Sequence, residues 1–164
     1  MADFEQASAK AFGIVFGDSV VISGCWFHYC QAVGNFAKKK GLTDAYKQIE
    51  PVRKCIRMLM SLPLLPADSI TEGLNDIIAQ CIPSIDAVNK QAVMIVVEYV
   101  KKQWINKADI GTQRMSVVGN RERTNNGVES FHSALRKRVK VSHPNLFTFY
   151  EAHPRRQHRR QSGN

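Results

Sequence analysis

No apolar run in this chain approaches the roughly 18 residues that a membrane span requires; the longest, Ala92 to Val97, stops at six. A crossing helix is therefore not expected, and a membrane partner is excluded with it. Cysteine is sparse. Cys25, Cys30, Cys55 and Cys81 are scattered without the paired spacing of a disulfide framework or a zinc ribbon. The opening stretch, Met1 to Phe16, carries Asp3, Glu5 and Lys10 and has no unbroken apolar centre, so it does not read as a secretory signal. These features point to a reducing compartment in which the thiols stay free and buried. No internal repeat is visible, which excludes solenoid and propeller architectures. Acidic residues are scarce near the end: only Glu122, Glu129 and Glu151 follow Arg121.

What is present is a packable chain with a lopsided charge. Hydrophobic residues make up 44% and charged residues 23% of the 164 positions, a balance that supports a folded core. The net charge is +9, and +7 of it falls between Arg121 and Asn164. A basic end on a near-neutral body is the electrostatic footprint of a phosphate-binding surface; the competing reading is a solubilising tail.

Periodicity divides the chain mainly into helices. Phe4, Ala7, Ala11 and Phe12 recur at helical spacing until Gly17-Asp18 interrupts them. Ser19 to Ser23 is short, apolar and β-branched, and predicts one buried strand. From Cys25 a helix runs to Lys38-Lys39-Lys40-Gly41, cations and a glycine that make a good C-terminus. Thr43 is placed to cap a short helix, and Pro51 to open another that Leu62-Pro63-Leu64-Leu65-Pro66 ends. Helices are predicted over 68–81 and 84–105, the second with Val88, Val93, Val96, Tyr99, Val100 and Trp104 on its apolar stripe. Residues 106–123 are polar and aperiodic, and predict a loop. Asn125 or Asn126 caps a helix with Val128, Phe131, Leu135 and Val139 inward, and Pro144 starts a short final one. A lone strand cannot satisfy its own backbone, so either Ser19 to Ser23 is irregular or the strands it should pair with are missing, and the second is the expectation.

Three segments carry a resemblance. They are Asp3-Phe4-Glu5 with its following helix, Gly24-Cys25-Trp26-Phe27-His28, and Arg123-Thr124-Asn125-Asn126-Gly127-Val128-Glu129-Ser130-Phe131-His132 with His143-Pro144-Asn145-Leu146 after it. In this order and spacing the chain resembles the Mutator-like element transposases of animal genomes, from about Asp3 to Tyr150. The resemblance implies a ribonuclease-H-like catalytic domain with an all-helical insertion, nuclear, cleaving and joining DNA strands at a two-metal site. Asp3 resembles the second acidic residue of that site and Glu129 the third, with Mg²⁺ as the implied cofactor of the intact enzyme because carboxylate oxygens suit a hard cation, and none expected on this chain alone. The first acidic residue has no counterpart, and the expectation is that this chain alone does not cut DNA.

Each candidate also has a plainer reading. Asp3 can cap a helix, and Glu129 sits in a first turn, where the dipole favours a carboxylate anyway. Cys25 and His28, three apart, would share a helical face and could supply half of a zinc site, with His132 a possible neighbour; they could equally be a packed structural pair. Arg123, Asn125 and Asn126 read as phosphate contacts or as loop and cap. The cluster Arg136, Lys137, Arg138 and Lys140 and the tail residues Arg155 and Arg156 are the stronger candidates for DNA contact. The aromatics Trp26, Trp104, Phe131, Phe147 and Phe149 are expected in the core.

The expected fold class is mainly α: a truncated ribonuclease-H-like α/β domain with a helical insertion and one residual strand. Residues 1–40 would form a partial core, 41–110 the insertion, 111–152 the C-terminal core helices carrying Glu129, and 153–164 a basic disordered tail. The expected function is that of a transposase fragment that keeps weak DNA binding. An all-helical basic module that binds nucleic acid or protein, without enzymatic activity, is the alternative.

Overall fold

The computed structural model of the chain describes residues 23–108 and 110–121, together with 11, 13–17, 123, 124, 127, 130, 133, 134 and 137. The chain divides into two compact units, Met1–Asn125 and Asn126–Asn164.

In the first unit, residues 11 and 13–16 are helical and solvent-exposed, and Gly17 ends them with a positive φ of 57°. Six helices follow. They are α1 (Trp26–Lys39), α2 (Thr43–Gln48), α3 (Glu50–Ser61), α4 (Ile70–Cys81), α5 (Ala87–Val100) and α6 (Gly111–Met115). Short 3₁₀ turns at Leu62–Leu64, Ala67–Ser69 and Ile82–Ser84 join them, and α5 runs on into a π turn, Lys101–Ile105. The described part of the protein is mainly helical, and among the described residues there is no strand.

Local chemistry explains most boundaries. At the end of α1, Gly41 takes φ 80°, the N–H of Leu42 reaches Ala37 O at 3.1 Å, and that of Gly41 reaches Lys38 O at 3.0 Å. This is the Schellman arrangement, and the residue after the glycine, Leu42, is buried as such motifs favour. Pro51 lies in the first turn of α3, where its missing N–H costs nothing. Pro63 and Pro83 fall in the 3₁₀ turns that end α3 and α4. Asp86 caps α5, its carboxylate accepting the N–H of Asn89 at 3.0 Å.

One core joins these helices. Tyr29, Val33 and Ala37 of α1 pack with Val52, Cys55, Ile56 and Leu59 of α3, and this cluster extends through Ile70, Leu74 and Ile77 of α4 to Val93, Val96, Val97 and Val100 of α5. Trp104 meets Tyr29 edge-on at 4.9 Å, and Phe36 stacks on Tyr99 at 3.9 Å. At the end of α3, helix geometry leaves carbonyls without intrahelical donors, and α1 supplies them. Tyr29 Oη donates to Leu59 O at 2.8 Å and Trp26 Nε1 to Met60 O at 2.9 Å. Pro63, three residues beyond Met60, has no N–H to offer it.

Several expectations change. Within the predicted strand Ser19 to Ser23, only Ser23 is described; it is buried and lies outside any regular element. The predicted loop over 106–123 contains α6, because the buried side chains of Ile110, Met115 and Val117 hold the segment to the core. Side-chain periodicity over so few residues is too weak a signal to show a five-residue helix. The bonds that fix it are distant: Ser116 Oγ donates to Leu65 O at 2.7 Å, and Val117 N–H to Pro63 O at 2.8 Å. The helix expected over 84–105 begins at Ala87, and Val88, expected on its inner stripe, is 87% exposed. Thr43 is the first helical residue of α2, and no side chain caps that helix. Among the described residues, no helix is long and apolar enough to cross a membrane. In the second unit, Gly127, Ser130, Ser133, Ala134 and Lys137 are helical and exposed. Phe131, Phe147 and Phe149 lie outside the described residues.

Candidate nucleic-acid interface

The segment Gly24 to His28 and the polar run that begins at Arg123 are far apart in the sequence but meet in the structure. The N–H of Trp26 donates to Arg123 O at 3.0 Å, and the N–H of Gly24 to Arg114 O at 2.9 Å. The cause is local. The first N–H groups of a helix have no intrahelical acceptor, and Cys25, at the cap position of α1, makes no side-chain cap bond. A carbonyl from the distant Arg123 takes that role for Trp26. The Arg123 side chain is left exposed, as is that of Arg121 close by in sequence.

Cys25 takes the cap position of α1, with extended backbone (φ −86°, ψ 118°), and is fully buried; His28, three residues on, is half-buried in the first turn. The His28 ring packs edge-on against Phe27 at 5.8 Å. Among the described residues, no group of three or more His, Cys, Asp or Glu side chains is placed to hold a metal ion. Asp3, Glu129 and His132, the residues through which a metal was expected, lie outside the described residues.

Of the expected phosphate contacts, Arg123 and Lys137 are described, and both are exposed. Asn125, Asn126, Arg136, Arg138, Lys140, Arg155 and Arg156 lie outside the described residues. Two of the thiols, Cys30 and Cys55, are held in the protonated form. Burial pushes Cys30 up to about 11 and Cys55 up to about 12, the latter assisted by a hydrogen bond with Cys81. A thiol so far from ionising at neutral pH is a poor nucleophile and a poor metal ligand.

One surface feature escaped the sequence reading: an open groove of about 570 Å³ beside α1, bounded by residues of α2 and α3 and lined in part by the core residues Ala37, Leu42 and Ile56. Its signal was Gly34, an isolated glycine inside a helical pattern, which often marks a close approach or an opening.

The chain matches no known protein family, no curated protein and no solved structure.

Proposed function

We propose that this chain is part of a transposase-derived DNA-binding protein, with a ribonuclease-H-like ancestry and a nuclear location. Its basic end, Arg136 to Lys140 with Arg155 and Arg156, contacts the phosphate backbone, and Arg123, Asn125 and Asn126 are further candidates for such contacts. Asp3 and Glu129 are the positions that would hold Mg²⁺, a hard cation matched to carboxylate oxygen. Such an ion supplies charge stabilisation at a scissile phosphate when bound. The observation that carries this reading is the bond from Trp26 N–H to Arg123 O. It joins two of the segments on which the resemblance rests, across a helical stretch that would be the insertion.

The test is DNA binding by the full chain, measured by fluorescence anisotropy on a duplex between 50 and 200 mM salt (roughly the range over which phosphate-driven binding collapses). Affinity should fall steeply. Replacing Arg136, Lys137, Arg138 and Lys140 together with alanine should flatten the logarithmic salt slope by about 3 to 4, since each phosphate contact contributes about 0.9. Binding indifferent to salt, or a slope unchanged in the fourfold variant, would refute the assignment.

A second reading has its own support. Among the described residues, the core from Tyr29 to Met115 is built mainly from helices, as that of a helical module would be. Under that reading the chain binds nucleic acid or protein without ever having held a metal at Glu129. Manganese binding followed by paramagnetic resonance separates the two: binding that Glu129→Ala abolishes belongs to the transposase reading alone.

A further inference from the structure

The groove beside α1 has the dimensions and chemistry of a docking site. Its volume of about 570 Å³ lies within the roughly 300–1,000 Å³ of functional clefts. Phe27, Cys30, Gly34 and Lys38 mark one line along α1, which follows helical spacing and lies beside the core line of Tyr29 and Val33, while Ala37 of the core also lines the groove. From Phe27 to Lys38 is about 16 Å along the axis at about 1.5 Å per residue, the length of three helical turns. Met60 of α3 forms the opposite side and Tyr46 of α2 the end. The absence of a side chain at Gly34 lets Met60 come close to α1 at this point: a Cβ there would stand 3.2 Å from Met60 Cε. Phe27, at 46% exposed, presents an aromatic face that the chain's own core does not use.

The charge at this groove has one sign. Lys38 and Lys47 line it, and no carboxylate does. Lys39 and Lys40 follow directly, both exposed. The end of α1 carries about half a negative charge from its dipole, so three consecutive lysines leave a positive surplus there.

We infer that this groove binds an amphipathic helix of a partner protein, whose apolar ridge lies along Phe27, Gly34 and Met60 and whose flanking carboxylates meet Lys38 and Lys47. An open trough that follows a helix for three turns suits the ridge of a second helix. A single acyl chain is better served by an enclosed tunnel. The groove is lined by residues of the first unit alone, and the inference does not rest on DNA binding.

The probe is a synthetic, fluorescently labelled peptide of about four helical turns, with leucine and phenylalanine at heptad spacing and glutamate beside them. Binding to the full chain is read by anisotropy. Saturable binding is expected, with no binding by a peptide of the same composition whose apolar spacing is scrambled. Lys38→Glu with Lys47→Glu should weaken it by roughly tenfold or more. Gly34→Leu should abolish it by filling the trough. Phe27→Ala, at an exposed position, provides the same test should Gly34→Leu fail to fold, as judged by thermal melting. Lys90→Glu, on α5 and outside the groove, should change nothing. The inference is overturned if the chain does not bind the patterned peptide, if the scrambled peptide binds equally, or if the groove variants bind like wild type. It is likewise overturned if dodecanoate binds and the peptide does not, which would make the groove a fatty-acid site.

Discussion

Replacing Tyr29 with phenylalanine removes one oxygen from the centre of the first unit and leaves almost everything else in place. The side chain is fully buried, its hydroxyl donates to Leu59 O at 2.8 Å, and its ring stands edge-on to Trp104. Leu59 O also accepts the N–H of Leu62, so the variant does not orphan the carbonyl. The cost is therefore that of one ordinary hydrogen bond, about 1 kcal/mol, and not the 1–3 kcal/mol (roughly) of a buried group left unpaired. For a chain of this size that lowers Tm by about 2–4 °C. With a urea m-value of about 1–3 kcal/mol/M it lowers the midpoint by roughly 0.3–1 M. Tyr29→Ala removes the ring as well and should cost about 3–5 kcal/mol. Trp26→Phe is the informative comparison. Its indole N–H serves Met60 O, for which Pro63 has no donor and Cys30 supplies only a weak S–H at 3.5 Å. It should therefore cost more than Tyr29→Phe. Urea titrations followed by far-UV circular dichroism measure all three. If Tyr29→Phe costs as much as Tyr29→Ala, or more than Trp26→Phe, the view that α1 caps the end of α3 through these side chains is wrong.

Other outcomes follow from the same structure. Gly41→Ala places a Cβ at φ 80° and should destabilise the chain by about 1–2 kcal/mol, whereas Gly34→Ala, at a helical φ, should not show that strain penalty; chemical denaturation compares them. At alkaline pH, Cys30 and Cys55 bind their protons more tightly folded than unfolded. Their contribution is intact below pH 9 and is lost as pH rises towards 11 and 12, with buried Tyr29 adding to the loss above pH 10. Melting temperatures across that range should fall, and less steeply in Cys55→Ala; an equal slope would refute the assignment. At the acid end Asp86, held below its usual range by hydrogen bonds from Asn89, contributes stability above pH 3.8 that is lost as pH falls through its folded value. Asp86→Asn should remove that part of the acid dependence in a pH-scanned melt.

Some features were legible because their causes are local. The glycine after three lysines and the prolines that stop α3 and α4 each act within a few residues, and the structure follows them. Val88 was misplaced because residues at neighbouring helical angles cannot be sorted into inner and outer without knowing where the partner helix lies. The short helix α6 escaped because a side chain on Ser116 and the backbone of Val117 reach the turn at Pro63 and Leu65, a pairing that periodicity does not encode. Whether a residue at a helix start lies inside the helix is set by its backbone angles, and here a distant carbonyl from Arg123 decides the first bond.

By itself, the amino-acid order determined a mainly helical chain, where most of its helices stop, and a strong positive excess near the end. Each of these is a property of neighbours along the chain. Tertiary structure alone decided that residues near Trp26 meet Arg123, and that α1 closes the end of α3. It also decided that α1 keeps a second, open face. Those depend on which surfaces meet once the helices pack, and short-range spacing carries no information about that.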